Sequence, residues 1–555
     1  MDFDDVLPTL GGFGRYQIIL YCALLIPTNF PLAFMFLSHV FVSATPKHWC
    51  KIPELDDHRI ALDEVKNLSI PWEEREGEWQ PSQCKMYDVN YTKVALDYLI
   101  NNVSSSNKSW PVTDCKFGWN YDRSLYYNTL ITKWDLVCDE SWKSSLANSM
   151  FYVGGVVSQL LFGYVSDKWG RKPCMFIMLF FTILFGLASS YSPNYTAYII
   201  FRGILGFTCA SCYLTPFILI TELTVPEKRC IIGMICGIFF SVALIVYTAA
   251  AYLLRDWFYI SLMCSVPFIP ILAYWWFVPE SPRWLVSQNR IDEAEEIVQK
   301  IAKVNKKTIE KDFLKKFLQQ KKKEGYESQT LSSSSYLELL KYPNMRCRQF
   351  ILCFDWAIIS LVYAVLVYNA MNMKIDDYLA NAINSFSEIP GALIVMVAMD
   401  KIGRRLSLFL SMGIAGLGCL GVMFFPAEYI WTAIVLANIG KAGITGAFCL
   451  VFVYGCELFP TSLRNSALAL PCLMGGIANV SSPFVLLLSR YQRTLPLILN
   501  GILCIAGAFA ALILPETLNK HLPQTIEDGE NMGINSCFMF WKRRKDVYNL
   551  DKTMK

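Results

Sequence analysis

Two dense clusters of charge interrupt long apolar stretches of this 555-residue sequence. The first is DKWGRK (167–172), and the second is DKIGRR (400–405), which follows 233 residues later. Each cluster places one carboxylate and three basic side chains around a glycine turn. Such groups form charge-assisted hydrogen bonds, which contribute about 1.5–3 kcal/mol each. Bonds of that strength can hold one arrangement of a protein and still break when a ligand binds.

Two other segments carry an acid followed by a base seven residues later. They are ITELTVPEKR (220–229) and GCELFPTSLR (455–464). Proline–acid steps form a second matching pair, in FVPESPRWL (277–285) and ILPETL (513–518). The charge clusters can bind the acids and bases at such helix ends and form ionic clasps. The alternative is that their positive charge only sets the membrane topology.

The composition explains which elements hold these charges. Hydrophobic residues make up 54% of the chain and charged residues 17%, which is more apolar than a soluble core requires. A membrane-spanning helix needs about 20 mostly apolar residues, and about twelve such runs occur, so we predict an all-α membrane protein. The predicted helices cover 16–40, 144–165, 173–190, 197–220, 230–253, 257–278, 348–371, 379–399, 405–425, 429–454, 465–488 and 493–514.

The loops between the predicted helices indicate the orientation. The acidic start, MDFDDVLPTLGGFGRYQ, is unlike a cleavable signal peptide, so the first apolar run should remain as a helix. An even number of helices places both termini on one side of the membrane. Basic segments at 167–172, 226–229, 400–405 and 541–545 share that side, and the positive-inside rule makes it cytosolic.

Both charge clusters connect the second and third helices of a set of six. This duplication predicts two pseudo-symmetric six-helix bundles. Lysine-rich amphipathic helices are expected in the segment that joins the bundles. The predicted regions are a cytosolic segment 1–15, a first bundle 16–278, a cytosolic linker 279–345, a second bundle 346–514 and a cytosolic tail 515–555.

A long loop at 44–140 separates the first two predicted helices. Its four cysteines, Cys50, Cys84, Cys115 and Cys138, are disulfide candidates, and three pairings are open. The loop also contains four glycosylation sequons, at Asn67, Asn90, Asn102 and Asn107. We therefore expect an oxidised, glycosylated module on the outside of the cell.

These motifs together resemble the major facilitator superfamily, and within it the organic cation, carnitine and organic anion transporters. DKWGRK and DKIGRR are similar to the loop signature of the superfamily. Other segments are similar to the narrower branch, namely PESPRWL, EIPG (388–391), ELFPTSLRN (457–465) and ITKWDLVCD (131–139). The resemblance covers nearly the whole chain, from DDVLPTLGGFGRYQ to LPETL.

The resemblance implies a fold of twelve helices that moves its substrate by alternating access. It also implies that the ionic clasps break when the cytosolic face opens. The residues at the clasp positions of the resembling family are Asp167, Arg171, Glu222, Arg229, Asp400, Arg404, Glu457 and Arg464.

Charged residues deep in the predicted helices are candidates for a substrate site, because each costs about 2.5–3.5 kcal/mol to insert. Four residues qualify: Arg202, Asp355, Glu388 and Lys441. Arg202 is expected to be a buried structural ion. Glu388 and Lys441 match positions that line the cavity in the resembling family.

Aromatic residues are expected to complete the site, because an organic cation is attracted to ring faces. By the same resemblance, Tyr213, Phe240, Trp356 and Tyr363 line the cavity. Where the resembling cation carriers have Asp, and the carnitine and anion carriers have Arg, this chain has Gly476. The charge expected at that position is therefore missing.

The remaining charges favour small organic cations or zwitterions, such as carnitine-like or amine compounds. Asp355 and Glu388 can attract an amine, and Lys441 can meet a carboxylate. An organic anion transporter of the same fold and a non-transporting sensor are the alternatives. We expect a multi-pass plasma-membrane protein that is not an enzyme and has no cofactor, metal centre or nucleic-acid partner. The sequence leaves open whether transport is coupled to an ion and whether the protein forms oligomers.

Overall fold

The computed structural model describes residues 6–56, 60–75, 78–101, 106–107, 109–323, 341–373, 375–425, 429–460, 463–492, 494–520, 523 and 526–532. The basic segment 541–545 of the predicted tail and the centre of the predicted linker, 324–340, lie outside these ranges.

Twelve apolar helices make up most of the described structure and confirm the predicted helical membrane fold. Among the described residues, eleven helices are long and apolar enough to cross a membrane, and the twelfth is an apolar helix of 17 residues. They are α1 Arg15–Val42, α2 Trp142–Trp169, α3 Arg171–Ser190, α4 Tyr195–Glu222, α5 Pro226–Leu254, α6 Trp257–Trp276, α7 Pro343–Asn369, α8 Asp377–Ile402, α9 Arg404–Gly421, α10 Ile430–Leu458, α11 Arg464–Leu487 and α12 Leu495–Ala511.

The helices overlap the predicted runs, and side-chain caps mark where some of them begin. Asn194 accepts a hydrogen bond from the backbone N–H of Ala197 at 2.8 Å where α4 begins. Asp376 does the same for Tyr378 at 2.9 Å before α8. In contrast, α6 changes from an α-helix to a 3-10 helix at Val266–Trp276. This segment contains two prolines, which lack the N–H needed for α-helical bonding.

Close contacts between glycines and backbone hold neighbouring helices together in both halves. A methyl group added at Gly154 in α2 would overlap the carbonyl oxygen of Gly203 in α4. A methyl group at Gly391 in α8 would overlap the carbonyl oxygen of Ala442 in α10. Small residues let the backbones approach in this way inside membranes. We refer below to α1–α6 and α7–α12 as the two halves.

The segment between α1 and α2 forms a small module with three two-stranded antiparallel sheets. The strands are β1 His48–Cys50, β2 Trp72–Arg75, β3 Glu78–Pro81, β4 Lys85–Tyr87, β5 Val112–Asp114 and β6 Trp119–Tyr121, paired β1–β6, β2–β3 and β4–β5. Short helices accompany them at Pro53–Asp56, Leu62–Ser69, Tyr91–Asn101 and Leu130–Trp134. We call the membrane side that carries this module the loop side, and the opposite side the linker side.

Two disulfides resolve the pairing that the sequence left open. They join Cys50 to Cys115 and Cys84 to Cys138. Three of the predicted glycosylation sites, Asn67, Asn90 and Asn107, are exposed to solvent. The fourth, Asn102, lies outside the described residues, and glycosylation itself stays a prediction.

Three further helices follow α6 on the linker side: Pro282–Ser287, Ile291–Val304 and Phe313–Lys323. Apolar residues of the second one, such as Val298 and Ile301, are fully buried against the first half, as its amphipathic pattern predicts. The adjoining Asn305 accepts a hydrogen bond from the N–H of Tyr16 at 2.8 Å. A short helix, Ile526–Asn531, packs beside the start of α7.

The disulfide pairing gives a first testable prediction. Replacing Cys50 by Ser should free the thiol of Cys115 for alkylation and leave Cys84 and Cys138 protected, because these two bond to each other. Mass spectrometry of non-reduced peptides measures both outcomes. Alkylation of Cys84 or Cys138 in this variant would contradict the pairing.

Candidate functional site

A buried carboxylate joins the two halves near the middle of the membrane helices. Glu388 of α8 is only 1% exposed. The hydroxyl of Ser241, in α5 of the first half, donates to its Oε2 at 2.7 Å. The hydroxyl of Tyr363 in α7 donates to its Oε1 at 2.8 Å. One acid therefore accepts hydrogen bonds from both halves.

Lys441 of α10 balances the charge of this acid. Its Nζ lies 3.0 Å from Oε1 of Glu388 and is fully buried. The same Nζ lies 3.3 Å from the ring centroid of Tyr363, which is a cation–π arrangement. A buried pair of this kind is retained only when additional groups satisfy the charges. The hydroxyls of Ser241 and Tyr363 supply those groups for Glu388. Lys441 has the ion pair and the ring of Tyr363.

A row of aromatic rings extends from this pair on both sides. Adjacent ring centroids in the row are 4.4 to 6.1 Å apart, within the range of favourable ring contacts. Phe36 in α1 bridges the halves, because its ring contacts Phe240 of α5 and Tyr363 of α7. In order, the row is Phe240, Phe36, Tyr363, Phe448, Phe452 and Trp356.

The structure therefore brings five of the predicted site residues together: Phe240, Trp356, Tyr363, Glu388 and Lys441. Sequence reasoning missed Ser241 and Phe36, which connect this group to the first half. Both are residue types that occur at many positions of these helices, so no sequence signal identifies them. The role of the group in binding stays a prediction.

The side chain of Asp355 points away from the Glu388 group and the aromatic row, although Asp355 directly precedes Trp356 in α7. It is fully buried, and its Oδ1 lies 3.3 Å from the position that a Cβ of Gly507 in α12 would take. The same position is crowded by Met412 of α9. Successive residues of a helix point about 100° apart, so Asp355 faces the interior of its own half while Trp356 joins the aromatic row.

Gly476 lies at the contact between the halves. A Cβ at this position would approach Val156 of α2 to 2.9 Å and Gln159 to 3.3 Å. The glycine therefore permits the close packing of α2 against α11. Tyr213 is in α4, but its side chain lies outside the described part of the structure.

Polar contacts join the halves on the loop side. The hydroxyls of Tyr152 in α2 and Tyr368 in α7 are 2.9 Å apart, and Tyr368 donates to Asn148 at 3.3 Å. Tyr126 of the loop module donates to Asp377 at the start of α8 at 2.7 Å. These contacts connect the two halves on the loop side.

The first charge cluster forms a compact ionic group on the linker side. Arg171 donates to Asp167 at 2.6 Å and to Glu222, at the end of α4, at 3.2 Å. Glu280 adds a second acid, because its carboxylate accepts from the backbone N–H groups of Arg171 at 3.0 Å and Lys172 at 3.2 Å. Burial raises the pKa of Glu280, and these N–H donors oppose the shift.

The second charge cluster repeats this arrangement. Arg404 lies 3.4 Å from Asp400 and 3.1 Å from Glu457. Glu516 accepts from the N–H groups of Arg404 at 2.8 Å and Arg405 at 3.1 Å. Glu516 therefore lies at the positive N-terminus of α9, as Glu280 lies at the N-terminus of α3.

Arg229, the base that follows the helix-end acid Glu222, bonds to backbone carbonyls. The Nε of Arg229 donates to the carbonyl oxygens of Thr221 and Thr224, at 2.8 and 3.0 Å. It thereby bonds to the last carbonyls at the end of α4, as basic residues commonly do. The side chain of Arg464 lies outside the described part of the chain.

Each charge cluster requires its glycine. Gly170 and Gly403 have φ of +100° and +93°, a region that side chains rarely adopt. A Cβ at either residue would lie 2.5 Å from a carboxylate oxygen of Glu280 or Glu516. The missing side chain is what lets each acid reach the helix N-terminus. The repeated proline–acid step was the sequence signal for Glu280 and Glu516, which the predicted site omitted.

Comparison with known proteins defines the class of this structure. The xylose transporter XylE from E. coli, solved in an inward open conformation, superposes with a TM-score of 0.56 at 14% identity, covering 91% of this chain and 98% of that one. The chain therefore has the major facilitator fold of twelve membrane helices, as predicted.

The family follows from sequence similarity. The model of the family described as "Sugar (and other) transporter" matches residues 89–527. An organic cation transporter protein of Drosophila melanogaster is 34% identical over 537 residues, covering 96% of this chain and 95% of the relative. A beta-alanine transporter of the same organism is also 34% identical, over 96% of this chain and 89% of its own length.

The chain belongs to the Sugar (and other) transporter family of the major facilitator superfamily, and its relatives confirm the resemblance to the organic cation branch. It is a transporter and not an enzyme, because that is the activity of the family.

The glycine requirement gives a second prediction. Replacing Gly403 by Ala should lower stability by about 1–3 kcal/mol, because the backbone is strained and the new Cβ displaces Glu516. Thermal unfolding of the purified protein in detergent measures the change. Gly413→Ala is the matched control, because this glycine of α9 has nothing within 4 Å of a Cβ. Equal melting temperatures for the two variants would contradict the role of Gly403.

Proposed function

We propose that this protein carries small organic cations or zwitterions across the plasma membrane, with Glu388 as the central binding group. The supporting observation is the shared position of this acid, which is bonded by Ser241 of one half and by Lys441 and Tyr363 of the other. In the major facilitator fold, substrates bind between the two halves near the middle of the membrane. The two relatives reported above are named as carriers of organic cations and of beta-alanine.

The site contains a group of its own that resembles the proposed substrate. The ammonium group of Lys441 forms an ion pair with Glu388 and lies over the ring face of Tyr363. A substrate amine offers the same chemistry and would take this place. Lys441 is then released and can bind a substrate carboxylate. A zwitterion such as an amino acid with separated charges satisfies both residues, and an organic cation satisfies only Glu388.

Aromatic side chains would complete the selection. Phe36, Phe240 and Tyr363 lie together at the contact between the halves, where ring faces attract a weakly hydrated cation. Trp356 extends the same row toward the linker side. Since alternating access separates the halves, the row would open when either side opens. The site would thereby be exposed to one face of the membrane at a time.

The ionic clasps would control the linker side during this cycle. Arg171 and Arg404 each bond two acids within their own half. Their charge-assisted bonds contribute about 1.5–3 kcal/mol each, so substrate binding can shift their equilibrium. We assign the linker side to the cytosol, because its loops are basic. The disulfide-bonded module with its sequons then faces the extracellular space.

Uptake measurements test this function. Cells that express the protein are given labelled cations, zwitterions and anions, with membrane potential, sodium and pH varied to identify a coupling ion. Saturable uptake of cations or zwitterions supports the proposal. Uptake of anions alone would favour an organic anion transporter, and no uptake by protein at the cell surface would favour a sensor.

Removing the charge of Glu388 gives a third prediction. Glu388→Gln should lower kcat/KM for a cationic substrate roughly tenfold to hundredfold, because a charge-assisted bond is lost. Radiolabelled uptake, normalised to surface expression, measures it. Glu293→Gln is the control, since that acid is half exposed and pairs with Arg290 on the linker side. Unchanged uptake by Glu388→Gln would remove this residue from the site.

A fourth prediction is that replacing Lys441 affects zwitterion transport and cation transport differently. Lys441→Met should leave uptake of a cation intact or increase it, because Glu388 no longer has a competing partner. The KM of a zwitterion should rise about tenfold, because its carboxylate loses a charged partner. Competition assays with a matched amine and amino acid measure the ratio. An equal loss for both would contradict the exchange of Lys441 for the substrate amine.

A further inference from the structure

Arg202 is a buried cation for which the proposed function has no use. It lies in α4, seven residues from the loop-side end, and is 3% exposed. Its guanidinium donates to the hydroxyl of Ser38 at 2.9 Å and to the carbonyl oxygen of Met35 at 3.5 Å. On its other side the group lies 4.8 Å from the ring centroid of Phe151.

None of the membrane helices in its half carries an acid at the depth of Arg202. On the loop side, Asp256 caps α6 and accepts hydrogen bonds from Phe258 and Asn128. In α1–α6, Asp and Glu occur only at linker-side helix ends, as Asp167, Glu222 and Glu227. Glu222 is 20 residues further along α4, about 30 Å away at the rise of a helix, and it is bonded to Arg171. The central acid, Glu388, is already bonded to Lys441.

The guanidinium also keeps donor capacity. It has five N–H groups, and two of them are used by Ser38 and Met35. The Nε–H of Arg202 has no hydrogen-bond partner among the described residues, and neither has the buried hydroxyl of Ser265 in α6. Unsatisfied donors on a buried cation are costly, so a bound group is expected to accept from them.

A small cavity adjoins Arg202. Its polar wall is formed by Arg202 with hydroxyl groups from α1, α3, α4 and α6: Ser38, Ser189, Tyr198 and Ser261. The cavity holds about one water-sized particle. The wall offers one full positive charge, and no carboxylate lines it. The hydroxyls of Ser38 and Ser189 already donate to the carbonyl oxygens of Met35 and Gly186, so the O–H donors left for a bound group are those of Tyr198 and Ser261. This is a donor set for a small monatomic anion, and polyatomic anions are too large.

We propose that this cavity is a chloride site, formed by Arg202 and the surrounding hydroxyls inside the first half. A water molecule can satisfy hydrogen bonds but leaves the buried charge uncompensated, whereas chloride satisfies both requirements. The site is separate from Glu388 and belongs to one half. Arg202 lies about 10 Å from the loop-side end of α4, so the ion enters from that side.

Bound chloride stabilises the first half, because it binds the folded chain and not the unfolded one. The melting temperature of the purified protein should rise by roughly 3 °C when chloride replaces gluconate at constant ionic strength. Bromide should act like chloride, and sulfate should not. A melting temperature that is the same in chloride and gluconate would overturn the proposal.

Variants assign the effect to this cavity. Arg202→Met should abolish the chloride dependence, and Arg255→Met should keep it, because Arg255 packs over Tyr252 at the loop-side end of α5. If Arg202→Met does not fold, Ser261→Ala is used, which should raise the half-saturating chloride concentration severalfold. An unchanged chloride response in both Arg202→Met and Ser261→Ala would overturn the assignment.

Crystals soaked in sodium bromide give a direct test. An anomalous peak in contact with the guanidinium of Arg202 supports the site. Density for a water molecule without anomalous signal at that place would show that water alone fills the cavity, and the proposal would fail. Neither test measures transport, so both are independent of the proposed function.

Discussion

Charge that enters a membrane must be paired, and this constraint explains most of the arrangement of the protein. An isolated ion in a helix is expensive in hydrocarbon, so a charge placed there is stabilised by a partner. Glu388 has Lys441 with two hydroxyl donors. The linker-side clusters pair Arg171 and Arg404 with two acids each.

In the proposed mechanism, the central pair determines what can be transported. Lys441 and Glu388 neutralise each other, and a ligand binds by replacing one of the two partners. Because Lys441 lies against the ring of Tyr363, the proposed exchange would place the ammonium group of a substrate at the same ring. Under this proposal, selectivity would come from the groups freed by the exchange and not from Gly476, where the expected charge is missing.

The two ionic clusters have the same construction in the two halves. Each combines a glycine with positive φ, a helix N-terminus and an acid from a proline–acid step. Only a residue without a Cβ allows the carboxylate to reach the backbone N–H groups there. Each half therefore has an equivalent ionic cluster on the linker side. On the loop side, hydrogen bonds from tyrosine hydroxyls join the halves.

The sequence by itself determined the helices, the duplication and the two charge clusters, because apolar runs, capping signals and repeated motifs are local patterns. It did not determine the second acid of each cluster, Glu280 or Glu516, or the carbonyl contacts of Arg229. It also identified Glu388 and Lys441, since a charge inside an apolar run stands out. Only the tertiary structure decided that Asp355 faces its own half, that Ser241 and Phe36 complete the central site, and which cysteines pair. These outcomes depend on the rotation of each helix about its axis and on contacts between segments far apart in the chain, which residue spacing alone does not encode.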